Sequence, residues 1–299
     1  MKILLTHDGS AMADVAVPTV HTLANALGDA AEVTALCITS SHASPESTEA
    51  RDADESLDRI RRALEPHPVT LMMRGGSPGP LIVETAEELG CDLVAMSTSG
   101  MSGSKHFLGS VADYVARNSH EVPVMFCRPA VAGTKHFRKI LLPLDGSPQN
   151  AGAIAETQRL GLATGASVVL LRLTDDAGDL RSVRTPAGYA LSTDIMDDAT
   201  VERVITAELE IARSELAEVA NQLRQAGLQD ILAVVMTGTP GETIVRAAET
   251  RGCDVIVMSS HGRGRGPGAQ LLGSVADHVL QHVGEATVIV APPPDGASA

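Results

Sequence analysis

A chain of 299 residues with a formal net charge of −14, 2% aromatic residues and no Trp is poorly suited to nucleic acid, which calls for a basic face or aromatic stacking platforms. No apolar run reaches the length of a membrane span, and the one behind Lys2 is too short for a signal-peptide core. The expectation is a cytoplasmic protein without membrane or nucleic-acid partners, with room for two domains that each bury a core.

Residues 2–6 (KILLT) form an apolar run that stops at His7-Asp8-Gly9-Ser10. This reads as a strand, a tight bend at Gly9, and a Ser10 placed to cap the next helix. Residues 12–27 carry Val15, Val20, Leu23 and Leu27 at helical spacing, and Gly28 ends them. A second strand is expected over 32–39. After a polar stretch containing Pro45 comes a charged helix over 47–64, with Leu57, Ile60 and Leu64 on one face. A third strand over 69–73 closes on Gly75-Gly76-Ser77-Pro78-Gly79, and a helix over 80–89 has Pro in its first turn. A fourth strand over 92–96 runs into the loop STSGMSGSKHFLGS. A helix over 111–118 and a fifth strand over 122–127 complete the unit. Strands alternating with helices indicate an α/β fold, a parallel sheet with helices on both faces.

The pattern then repeats. KILLPL followed by Asp145-Gly146-Ser147 matches KILLTH and Asp8-Gly9-Ser10 at an offset of 137. GSPGPLIVETAEELGCD reappears as GTPGETIVRAAETRGCD at an offset of 162, and LGSVADYV as LGSVADHV at an offset of 164. Three blocks in the same order indicate a tandem duplication. The expected domains are 1–130 and 138–292, joined by a connector at about 131–137, with a tail over 293–299. The second copy gains about 25 residues in its middle. Part is a polar segment over 175–194; the rest lengthens a helix whose apolar positions are Val201, Ile205, Leu209, Ala212, Leu216, Val219 and Leu223. Cys37, Cys91, Cys127 and Cys253 form no CxxC pair and adjoin no His, so they read as buried thiols in a reducing compartment.

The chemistry concentrates in two glycine-rich loops. The second, SSHGRGRGPGAQLLGS, leaves an apolar run and ends in Gly273-Ser274 at a helix start; the first ends in Gly109-Ser110. Such loops can wrap backbone N–H groups around a phosphate and aim a helix N-terminus at its charge. The serines have a plainer reading: Ser110 with Asp113, and Ser274 with Asp277, have capping-box spacing. His7 and His261 lie near the same ends, but no nucleophile or orienting carboxylate is placed with them in a recognisable pattern. There is no GxxxxGK[ST] loop, no GxSxG elbow and no GxGxxG.

A strand ending in Asp-Gly-Ser, with a later strand, glycine loop and Gly-Ser helix start, resembles the universal stress protein family in two copies over nearly the whole chain. Family members that bind ATP show Gly-x2-Gly-x9-Gly-Ser/Thr. Here Ser259-x2-Gly262 is followed by ten residues before Gly273-Ser274, and Ser97-x2-Gly100 by eight before Gly109-Ser110. Each copy thus has Ser at the first position and a loop one residue off in length.

The resemblance implies a five-stranded parallel sheet of order 3-2-1-4-5 in each domain, packed through fifth strands at 122–127 and 286–290 as a pseudo-dimer, with homodimers open. It also implies a nucleotide crevice in each copy. In the second copy it points to Asp145, Gly146, Leu173, Met258, Ser259, Gly262, Arg263, Gly264, Gly273, Ser274 and Val275. In the first it points to Asp8, Gly9, Thr39, Ser97, Gly100, Gly103, Gly109, Ser110 and Val111, with the second copy favoured for its Arg263 and Arg265. Backbone near Thr39 or Leu173 would read adenine, and Asp8 or Asp145 would contact the nucleoside or hold Mg. The implied function is an ATP-binding stress sensor or switch without fast turnover. Alternatives are an interaction scaffold that binds no nucleotide, a slow Mg-dependent ATPase or phosphotransferase, and a site for a different small anion or signalling nucleotide.

Overall fold

A computed structural model describes residues 1–44, 46–98, 108–128, 137–174, 198–262 and 272–293. The first half runs β1 (Lys2–His7), α1 (Ala16–Leu27), β2 (Glu32–Thr39), α2 (Thr48–Ala63), β3 (Val69–Gly75), α3 (Pro78–Glu88), β4 (Leu93–Ser97), α4 (Ser110–Asn118) and β5 (Val124–Cys127). The second repeats it as β6 (Lys139–Leu144), α5 (Asn150–Thr164), β7 (Ser167–Thr174), α6 (Asp198–Gln225), β8 (Ile231–Thr237), α7 (Pro240–Arg251), β9 (Val255–Ser259), α8 (Ser274–His282) and β10 (Thr287–Ala291). All ten strands form one sheet of order β3-β2-β1-β4-β5-β10-β9-β6-β7-β8. Read from each edge inward, both halves have the order 3-2-1-4-5. Pairing is parallel within each half.

The side chains of each central strand divide between two apolar layers. Ile3 and Leu5 enter the layer under α1, α2, α5 and α6, while Leu4 enters the one under α3, α4, α7 and α8. Both layers run across both halves without a break, so the duplication shares its core.

Prolines set two helix starts. A helix beginning at residue 12 would bury Pro18 in its interior; instead Ala13–Val15 form a 3-10 turn and α1 begins at Ala16, which leaves Pro18 in the first turn. Similarly α3 begins at Pro78, two residues earlier than the spacing suggests. Gly9 and Gly146, at φ of 81° and 73°, make the same left-handed bend after β1 and β6. The apolar positions expected on α6 are all buried or half-buried, and the helix packs on β7 and β8. The polar segment over 175–194 lies outside the described residues. No helix among the described residues is long and apolar enough to cross a membrane.

The halves meet through antiparallel pairing of β5 with β10, with Val124 opposite Val290, Met125 opposite Ile289 and Phe126 opposite Val288. Polar contacts reinforce the seam. Buried Arg128 donates to the Leu280 carbonyl, and Arg117 bridges Asp113 on its own helix to Asp277 on α8. Arg159 of α5 donates to the Asp92 carbonyl at 2.8 Å and pairs with Glu156. Glu156 is 4% exposed, and burial raises its carboxyl above the ordinary 4.5 despite the opposing effect of Arg159. An acid raised in the folded state stabilises fully below its unfolded pKa, and that contribution is lost as pH climbs through the raised value. Glu156→Gln is therefore expected to melt higher than the parent at alkaline pH. The difference should shrink as pH falls towards the ordinary carboxylate range; a constant difference across pH would refute this.

Candidate nucleotide crevices

In an open parallel sheet, ligands enter beyond the carboxyl ends of strands where the order reverses. Each half has a crevice there. The first has a volume of about 750 Å³ and lies among the ends of β1, β2 and β4, the start of α4, and Glu49, Asp52 and Ala53 of α2. The second, at about 440 Å³, is bounded by β6, β7, β9 and the start of α8, and no residue of α6 lines it. Both volumes suit a small-molecule ligand.

The glycines that end the loops, Gly109 and Gly273, are helix N-caps with extended backbone. Ser110 and Ser274 follow as the first helical residues and are exposed. They stand one position past the cap, so the capping boxes expected from their spacing do not form: neither helix has a side-chain cap. The Gly109 N–H bonds the Thr98 carbonyl at 2.9 Å, and the Gly273 N–H bonds that of Ser260 at 2.8 Å. This pins each helix start against β4 or β9. The N–H groups of the next three residues, Ser110 to Ala112 and Ser274 to Ala276, have no acceptor within their helices and add to the positive end of the dipole.

The aspartates differ between the copies. Asp8 is exposed, and its Oδ1 accepts from the Ser10 N–H at 3.0 Å and hydroxyl at 2.6 Å. Ser10 in turn caps the following 3-10 turn through Ala13 N–H. Asp145 is half-buried, and its Oδ1 accepts from the Ser147 N–H at 2.9 Å, its hydroxyl at 2.6 Å and Asn150 Nδ2 at 2.7 Å. Asn150 also accepts from the Ser259 hydroxyl at 3.3 Å. The residue at the same distance after Asp8 is Ala13, which cannot make this link. Gly262 comes so close that an added Cβ would lie 2.6 Å from Asp145 Oδ2.

Met258, Ser259, Gly262, Gly273, Ser274 and Val275 line the second crevice with Asp145 and Leu173. Asp8, Gly9, Thr39, Ser97, Gly109, Ser110 and Val111 line the first. Gly146 forms the bend beside the second crevice without lining it. Gly100, Gly103, Arg263, Gly264 and Arg265 lie outside the described residues.

Strand register corrects the pairing of Thr39 with Leu173. His7 lies opposite Cys37, and Leu144 opposite Arg172. The counterpart of Leu173 is therefore Ile38, and that of Thr39 is Thr174. The two copies also differ one residue earlier, where Cys37 of the first becomes Arg172 of the second. Sequence blocks do not align there, because β2 and β7 share too few residues.

His7 has the carboxylate partner that the sequence pattern did not reveal. Its Nδ1 accepts the Gly9 N–H at 2.9 Å, which leaves the ring proton on Nε2, 2.9 Å from Asp14 Oδ1. Both nitrogens are engaged and the side chain is fully buried, so His7 holds the turn rather than acting as a base. His261 Nδ1 lies 2.9 Å from the Ser260 hydroxyl. All four cysteines are free and buried. Cys37 lines the first crevice, but burial, reinforced by Asp8, pushes its thiol up to about 11 and keeps it protonated.

These observations define a class: a duplicated, doubly wound α/β protein with a ligand-sized crevice at each topological switch point. Within that class, the chain belongs to the universal stress protein family, whose profile matches residues 1–128 and 136–291. It is 26% identical over 159 residues to Universal stress protein MJ0577 of Methanocaldococcus jannaschii, covering 52% of this chain and 94% of that one. A universal stress protein from Archaeoglobus fulgidus DSM 4304 superposes with a TM-score of 0.65 at 19% identity, covering 98% of this chain and 97% of the other. A putative universal stress protein from Pseudomonas aeruginosa UCBPP-PA14 gives 0.68 at 17%, with coverages of 98% and 94%. At these identities the structural likeness is one of fold.

Proposed function

We propose that the first crevice binds an adenine nucleotide, ATP, and that its occupancy acts as a sensing or switching signal in a stress response without fast turnover. The observation that carries this reading is the juxtaposition of the exposed Asp8 carboxylate with the open N-terminus of α4, on two sides of a cavity of about 750 Å³. Backbone donors at the helix start suit phosphates, and Asp8 suits the hydroxyls of a ribose. The second crevice is smaller, and beyond the serine contacts that both aspartates have, Asp145 also accepts from Asn150, which favours the first copy as the ATP site.

Magnesium fits in one way. Among the described residues no three His, Cys, Asp or Glu side chains are grouped to hold a metal ion. A Mg ion would arrive on the phosphate oxygens, with Asp8 as a carboxylate ligand in place of its ribose contact. Bound there, it would supply charge neutralisation.

The test is to acid-quench freshly purified protein and identify the released nucleotide by chromatography and mass. ATP is expected, at about one per chain if the larger crevice is the retaining one, and it should be absent from Asp8→Ala. If no nucleotide is released and millimolar ATP fails to bind, the reading is wrong and the scaffold alternative replaces it.

A further inference from the structure

The base ends of the two crevices differ in hydrogen-bonding character. In the second half, Arg172 Nε donates to Glu215 on α6 at 2.8 Å, and Arg172 Nη1 donates to the Leu173 carbonyl at 2.7 Å. The side chain is 13% exposed and Arg172 lines the crevice. Among the described residues, two of the five guanidinium N–H donors are thereby engaged and three have no partner. The lengthened helix of the second copy has a part in this, because Glu215 belongs to it and holds the guanidinium in place. In the first half a thiol, Cys37, stands at the same register position, and the acceptors Glu49 and Asp52 line the wall instead.

A purine read by backbone at Leu173 would meet Arg172. The 6-amino group of adenine is a donor; at the Leu173 carbonyl it would share its acceptor with the Arg172 guanidinium and lie beside that group's other N–H donors, so donor would face donor. Guanine presents its O6 and N7 acceptors side by side, the arrangement that an arginine fork matches with two hydrogen bonds. We propose that the second crevice selects a guanine nucleotide over an adenine one, with Arg172 as the specificity-determining residue, so that the two halves bind different purines. This rests on the reading of both crevices as nucleotide sites.

The experiment uses the full chain, with ATP and GTP titrated calorimetrically. Gly109→Asp closes the first crevice, so the second reports alone. In that background GTP is expected to bind about tenfold or more tighter than ATP, the discrimination of one bidentate arginine contact. Arg172→Cys, which installs the first half's residue, should erase the preference. Arg172→Lys keeps the charge without the fork and should lose most of it. Thermal melts of each variant establish that the fold is intact. If the unmodified chain binds ATP but the Gly109→Asp chain shows no GTP preference, or if the ratio is unchanged in both Arg172 variants, this inference is overturned while the ATP reading stands. If the unmodified chain binds neither nucleotide, both fall.

Discussion

Gly109→Asp is expected to weaken ATP binding by about two orders of magnitude or more, because a fixed carboxylate opposite a polyphosphate costs several kcal/mol. The substitution suits the local backbone. Gly109 has φ −61° and ψ 153°, which any residue adopts, and it occupies an N-cap, where Asp is among the preferred residues. Its side chain would cap the α4 amides that are otherwise open to an anion. The variant should thus melt at or above the parent temperature while losing nucleotide, and that opposite movement separates a blocked site from a damaged protein. Calorimetric titration and a thermal melt on the same sample check it; retained affinity would remove the α4 N-terminus from the site.

Phe126→Ala should destabilise the protein by about 3–5 kcal/mol, the usual range for emptying a fully buried aromatic site. Phe126 is 0% exposed and lies opposite Val288 on the strand pair that joins the halves. Its apolar layer holds residues of both halves, including Leu4, Val94, Ile256 and Val290. The loss is therefore shared, and urea unfolding should show one transition moved to lower denaturant rather than an early first-half step followed by an unmoved second one. Leu162→Ala is the control: at 50% exposure the side chain lies outside the core and should shift the midpoint little. Two separated transitions would show that the seam does not couple the halves.

Much of the architecture was legible from residue patterns. Apolar runs such as KILLTH and KILLPL are completely buried strands apart from their first residues or Pro143, and helical spacing located α2 and α6 closely. Duplication was plain because three blocks recur in order, and the sheet order and fifth-strand seam came with the family resemblance. Boundaries were less legible where Pro18 and Pro78 decide where a helix can begin.

At the crevices the hydrogen-bond partners were not legible in the sequence. The spacing of Ser110 with Asp113 and of Ser274 with Asp277 suggested capping boxes, yet Gly109 and Gly273 take the cap positions. His7 looked partnerless because Asp14 reaches it only through the 3-10 turn that Pro18 imposes. Thr39 and Leu173 were treated as equivalent, and only strand register shows that Ile38 and Leu173 are.

The sequence by itself determined the doubling, the α/β class, and the two glycine-loop and aspartate constellations, because these depend on periodicity and local turn chemistry. Tertiary structure alone decided which polar partners distinguish the two crevices. Asn150 ties Asp145 to Ser259, and Glu215 on a distant helix aims Arg172 at the Leu173 carbonyl. Such hydrogen bonds join groups far apart along the chain, and their geometry exists only once the sheet has brought the strand ends together.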